Sequence, residues 1–184
     1  MRVDNDQVSV WNRFAESLID LHKRGIAGRE IRKSEVTGGY GGEFAKGFTY
    51  REVCYHDAES GWLLSCIRHD ANKPEQIHVI DVYVYDAAGR VIRDYTAMYL
   101  PRGRHAPMRT FINLHQYDET LHGFRQFDAS GNLLYEQCRG KFAGRVVDFS
   151  LEYHQIEPPV TGLKSYQACF GKLPDTAEQY LVPN

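Results

Sequence analysis

A mostly β (α+β) fold is what this 184-residue sequence predicts: an antiparallel meander of about eight or nine strands with one N-terminal helix. Three observations carry the prediction. A short phrase is written three times, an aromatic residue, Asp-Ala, a Gly and then apolar residues, at 55–64 (YHDAESGWLL), 85–92 (YDAAGRVI) and 127–134 (FDASGNLL). Asp bonds the backbone of its own turn, and Gly takes the φ > 0 position that closes a three- or four-residue hairpin loop. One amphipathic helical stripe precedes all three copies. Between them the chain alternates, or runs apolar, over strand lengths with connections too short for crossover helices, so neighbours pair antiparallel.

The helix covers about residues 6–24. Trp11, Phe14, Leu18 and Leu21 recur at three- and four-residue steps, and Ala15 and Ile19 widen the stripe. Lys23 and Arg24 suit the negative end of the helix dipole, and Gly25 is a natural stop. A first strand follows at 28–36, then the Gly-rich stretch 37–42 (TGGYGG). That stretch lacks the following helix of a phosphate loop and reads as a bent connection or a close backbone approach. Strands are then predicted at 48–57, 62–70, 76–86, 90–100, 110–118, 121–128, 132–139 and 145–155, with a last one near 164–170. The run from Val147 alternates cleanly, with Val147, Phe149, Leu151 and Tyr153 against Asp148, Ser150, Glu152 and His154. A tail at 174–180 adds a helical turn.

Length predicts one domain, 1–184, with the meander at 29–155 and an extension at 156–184. So many sequential strands either curl into a lipocalin- or calycin-like barrel or stay open as a bent, cystatin-like sheet wrapped on the helix. A net charge of -2 offers no basic field for nucleic acid, and no apolar run is long enough for a membrane span. The N-terminus lacks an apolar export segment, and Cys54, Cys66, Cys138 and Cys169 form no C-x-x-C pair. Reduced thiols and a cytoplasmic location are the expectation. The Tyr-Asp-Ala-Ala-Gly-Arg-Val phrase resembles the turn of tyrosine-aspartate repeat proteins, but Asp57, Asp86 and Asp128 are unequally spaced, which makes it shared hairpin chemistry.

Hairpin geometry assigns side chains to faces. A three-residue loop at 87–89 sets Tyr83 opposite Arg93 and Asp81 opposite Tyr95, all on one face, with Asp94 and Thr96 on the other. The same loop at 129–131 sets Arg125 opposite Tyr135. This Arg–Tyr–Asp face is either the solvated outside of the sheet or the lining of a ligand cavity. In the first hairpin, a three-residue loop puts Cys54 opposite Cys66 and makes Cys54, His56 and Cys66 a half-site for a soft metal. A four-residue loop pairs Cys54 with Ser65 instead. No second cluster completes that half-site, so no metal and no cofactor is expected. His115 and His122 flank a tight hairpin at 117–119 and can approach each other. The connection 101–109 carries three Arg and one His, either a solvated connector or a basic loop that steers an anion.

The functional expectation is non-catalytic binding of a small anionic or aromatic ligand by Asp81, Tyr83, Arg93, Tyr95, Arg125, Tyr135 and His115. A small enzyme using His115, Asp118, Arg93 and Tyr95 as an acid–base set is the alternative. A homodimer formed through an exposed sheet edge or the helix face is a third reading.

Overall fold

The computed structural model describes residues 5–41, 46–101 and 105–184. Helix α1 (Asn5–Ile26) is followed by β1 (Ile31–Gly39), β2 (Thr49–Asp57), β3 (Leu63–Asp70), β4 (Ile77–Tyr85), β5 (Val91–Met98), β6 (Arg109–Asp118), β7 (Leu121–Phe127), β8 (Leu133–Phe142) and β9 (Arg145–Glu152). A 3-10 turn at Tyr153–Gln155, where the predicted strand 145–155 ends early, short helices α2 (Pro158–Thr161) and α3 (Lys164–Phe170) and a second 3-10 turn, Glu178–Tyr180, complete the chain. All nine strands are antiparallel and hydrogen-bond in sequence order. Among the described residues β1 and β9 do not pair, so the strand order is that of an open sheet with two edges and not of a closed barrel.

All three predicted turns form. Asp57 Oδ1 accepts from the Glu59 N–H at 2.9 Å, Asp86 Oδ1 from the Ala88 N–H at 2.9 Å and Asp128 Oδ1 from the Ser130 N–H at 2.8 Å. Gly61, Gly89 and Gly131 close them at φ 75°, 78° and 84°. In the first and third hairpins a bulge follows the turn and displaces the register read from loop length alone. In the first hairpin Asp57 N–H donates to Trp62 across a four-residue loop, yet Leu64 is skipped in the pairing and Cys54 ends opposite Cys66. In the third, Leu134 is skipped in the same way, so Arg125 faces Glu136 and Gln126 faces Tyr135. The expected Arg125–Tyr135 pair is thereby replaced.

The residues fall into two compact units, Met1–Val84 with Tyr95–Thr110 and Val182–Asn184, and Tyr85–Asp94 with Phe111–Leu181. In the first unit α1 buries Phe14, Ala15 and Leu18 of the stripe its spacing predicts, leaves Trp11, Ile19 and Leu21 half-buried, and buries His22 beside them. Phe14 meets Tyr95 edge-on at 6.3 Å, and His22 meets Tyr55 at 4.7 Å. The helix runs past Gly25 to Ile26, and Gly28, at φ 71°, is the residue that ends it. Gly38 and Gly39 are strand residues of β1 opposite Tyr50 and Thr49, and a Cβ on Gly38 would lie 2.6 Å from the Tyr50 hydroxyl. Gly42, at the end of the Gly-rich stretch, and residues 102–104 of the basic loop lie outside the described residues.

In the second unit the predicted strand at 164–170 is helix α3. Its buried residues, Tyr166, Cys169 and Phe170, sit at positions i, i+3 and i+4, a helical spacing that a short apolar run conceals. They pack with Leu121, Cys138 and Val147. The four cysteines, expected as free thiols, form two disulfides, Cys54–Cys66 and Cys138–Cys169. Both are brought together by pairing and packing that a search for adjacent cysteines does not see.

Candidate functional site

In the second unit, strand alternation lays a grid of polar and aromatic side chains on one sheet face. Tyr117 stands opposite His122, His115 opposite Phe124 and Asn113 opposite Gln126 across β6 and β7. On the next strand Phe124 faces Gln137 and Gln126 faces Tyr135. The alternate residues Ile112, Leu114, Leu121 and Phe127 are buried, so the two faces are chemically distinct.

A hydrogen-bonded run crosses this grid. Asp94 Oδ2 accepts from His115 Nε2 at 2.6 Å, and His115 Nδ1 lies 2.9 Å from His122 Nε2. Asp94 Oδ1 accepts from the Asn113 amide at 2.7 Å, whose own oxygen accepts from Gln126 at 3.1 Å. The carboxylate can only accept, so it holds a proton on His115 Nε2, and in the neutral tautomer that this selects Nδ1 accepts from the His122 N–H. Partial desolvation of its ring against the sheet, with His115 beside it, depresses the pKa of His122 below the ordinary histidine value and favours its neutral form.

The surrounding rings are ordered. His122 stacks on Tyr117 at 4.6 Å with the planes 5° apart, and the Arg90 guanidinium lies 5.0 Å from that Tyr ring. Asp86 holds Arg90 through its Nε at 2.9 Å, and the Tyr117 hydroxyl donates to the Val91 carbonyl at 2.9 Å. Phe124 lies 5.6 Å from His115 and 6.0 Å from Tyr135. Tyr135 in turn donates to Ser150 at 2.9 Å.

Of the seven predicted ligand residues, His115 and Tyr135 therefore share this face, linked by Phe124. Arg125 is on the opposite, buried side beneath α3. It donates to Glu136 at 2.5 Å, to Asp175 at 2.7 Å and to the carbonyls of Leu173 and Pro174, and Tyr166 donates to Glu136 at 2.7 Å. Burial, reinforced by Glu136, pushes the Tyr166 phenol up to about 12. These groups line a cavity of about 380 Å³ together with Phe170 and Leu173. Arg93 lies against the ring of Tyr180, 5.1 Å from its centre.

The other three belong to the first unit. Tyr95 is fully buried, and the hydroxyl that meets Asp81, at 2.6 Å, is that of Thr96, the neighbour of the residue expected there. Tyr83 is half-buried on β4. Asp118, the carboxylate of the alternative acid–base set, faces Lys172 at 3.8 Å, while Asp94 is the carboxylate bonded to His115. Sequence reasoning put Asp94 on the opposite face from the candidate site. The Asn113, His115, Tyr117 alternation was the available sign that a polar face runs along β6. The thiols of the Cys54, His56, Cys66 half-site are consumed in a disulfide.

Comparison with protein-family models, with curated proteins and with solved structures finds no match to the chain.

Proposed function

We propose that the second unit binds a small aromatic molecule bearing a hydroxyl or acidic group, held without catalysis on the face of Asp94, His115 and His122. The observation that carries this reading is the run from the Asp94 carboxylate through the His115 imidazole to the exposed His122. With Nε2–H of His122 directed at His115, its Nδ1 is the acceptor left to meet a ligand hydroxyl. Phe124 and the Tyr117–His122 stack supply ring faces for an aromatic ligand. An anionic group instead draws a proton onto His122, and Asp94 balances that charge through His115. Arg125, neutralised by Glu136, has no part in this reading.

The test uses 4-hydroxybenzoate, with cyclohexanol as an apolar-ring control, titrated into the full chain while the histidine ring resonances are followed by NMR. Binding of 4-hydroxybenzoate alone, with shifts confined to His115 and His122 and about tenfold weaker affinity in His122→Ala and Phe124→Ala, is expected. An absence of response, together with natively purified protein that retains no small molecule by mass spectrometry, removes the reading.

The same run favours a second reading, acid–base catalysis, with Asp94 in the role expected of Asp118. An activity screen discriminates the two, because Asp94→Asn would then lose turnover by about a hundredfold or more while ligand affinity is kept. The two disulfides support an oxidising compartment in place of the cytoplasm expected from reduced thiols.

A further inference from the structure

Strand β1 is an edge with an unusual exposure. It hydrogen-bonds β2 on one side and, among the described residues, no strand on the other. Every residue from Arg32 to Thr37 is exposed, so neither face of the strand is covered. Such an edge presents a row of backbone donors and acceptors to any extended chain that fits.

Which residues turn their backbone outward follows from the hydrogen bonds at the two ends of the hairpin. The Ala58 N–H donates to the Glu30 carbonyl and the Tyr40 N–H to the Phe48 carbonyl. Even-numbered residues therefore point at β2. In an antiparallel ladder the direction alternates, so Ile31, Lys33, Glu35, Thr37 and Gly39 offer their N–H and C=O groups to the free edge. None of them is proline, so each has a donor.

We propose that β1 pairs with β1 of a second copy of this chain, antiparallel, about a two-fold axis at Ser34. A two-fold axis must set outward residues opposite outward residues, which restricts its centre to single positions along the strand. Centred on Lys33 it opposes Lys33 to itself, and centred on Glu35 it opposes Glu35 to itself. Centred on Ser34 it sets Lys33 opposite Glu35 of the second copy, and Glu35 opposite Lys33, so both charges meet unlike partners. Like charges directly opposite destabilise a ladder and unlike charges stabilise it. Glu35 already holds Arg51 at 2.6 Å within the chain, which fixes its carboxylate on the face where the incoming Lys33 lies. Ile31 and Thr37 complete the outward pairs. The interface is independent of the ligand reading, since it uses none of those residues.

The experiment is sedimentation velocity on the full chain across concentration, with far-ultraviolet circular dichroism to confirm that each variant is folded. A monomer–dimer equilibrium is expected for the natural chain, weakening as salt screens the exposed pairs. Lys33→Glu and Glu35→Lys each place two like-charged pairs across the axis and weaken dimerisation by about tenfold or more. Mixed in equal amounts, these two variants restore unlike pairs and form a heterodimer. Thr37→Pro removes an outward donor and weakens the dimer without unfolding the edge strand. A chain that stays monomeric at every concentration overturns the proposal. So does a dimer indifferent to all three substitutions, or two impaired variants that fail to rescue each other.

Discussion

Arg125 and Glu136 show what burial demands of a charge. Their side chains are 7% and 1% exposed, and each is satisfied by further partners, the Leu173 and Pro174 carbonyls for the guanidinium and the Tyr166 hydroxyl for the carboxylate. Glu136→Gln leaves the guanidinium without its main counter-charge, so unfolding by urea should register a loss of about 3–5 kcal/mol. Two histidines act in the opposite sense. His22, by burial and then by Lys23, Lys33 and His69, and His122, by partial desolvation and then by His115, both have pKa values below the ordinary 6.5. The unfolded chain then binds their protons first as pH falls, so the stability they contribute is full above pH 6.5 and is lost toward their folded values. Urea midpoints measured from pH 7.5 down to about 5 should fall, and fall less steeply in His22→Gln and His122→Gln. A slope unchanged in both variants would show that other groups set the acid response.

At the scale of elements, the bulges and α3 decide where the chemistry stands. Leu64 and Leu134, each the second Leu after its turn Gly, are passed over in pairing and move every following side chain by one residue. That displacement brings Cys54 to Cys66 and Arg125 to Glu136. The turn residues announce the loop but not the bulge, which depends on how the two strands twist against what covers them. Helix α3 depends in turn on Gly123, where an added Cβ would lie 2.4 Å from the Cys169 carbonyl oxygen. Gly123→Ala must therefore push α3 outward. A loss of about 1–3 kcal/mol is expected, together with faster amide exchange concentrated in 164–170. Uniform exchange across the second unit would argue against a local displacement.

For the molecule as a whole, the two disulfides differ in reach and exposure. Cys138 and Cys169 are buried at 0% and 1% exposure and lie 31 residues apart, tying β8 to α3. Cys54 and Cys66 are half-buried, lie 12 residues apart and join neighbouring strands already held by backbone hydrogen bonds. By loop closure alone the longer link contributes about 3.7 kcal/mol and the shorter about 2.8 kcal/mol. Under native conditions dithiothreitol should reduce Cys54–Cys66 first, with alkylation and mass spectrometry reading the order. Cys138–Cys169 should open only as the second unit unfolds. Simultaneous reduction of both would contradict that order.

The local chemistry of the chain settles what neighbouring residues can settle. Asp57, Asp86 and Asp128 with Gly61, Gly89 and Gly131 specify their turns, and the stripe of Phe14, Ala15 and Leu18 specifies the buried side of α1, because each acts within a few residues of itself. The approach of His115 to His122 belongs here too, since a two-residue turn sets their distance. Only the tertiary structure decides that Asp94 reaches His115, that Arg125 is sealed under α3, and that the four cysteines meet in pairs. Those contacts join residues far apart in the chain, or separated by a bulge, and a one-residue slip carries a side chain to the opposite face of the sheet.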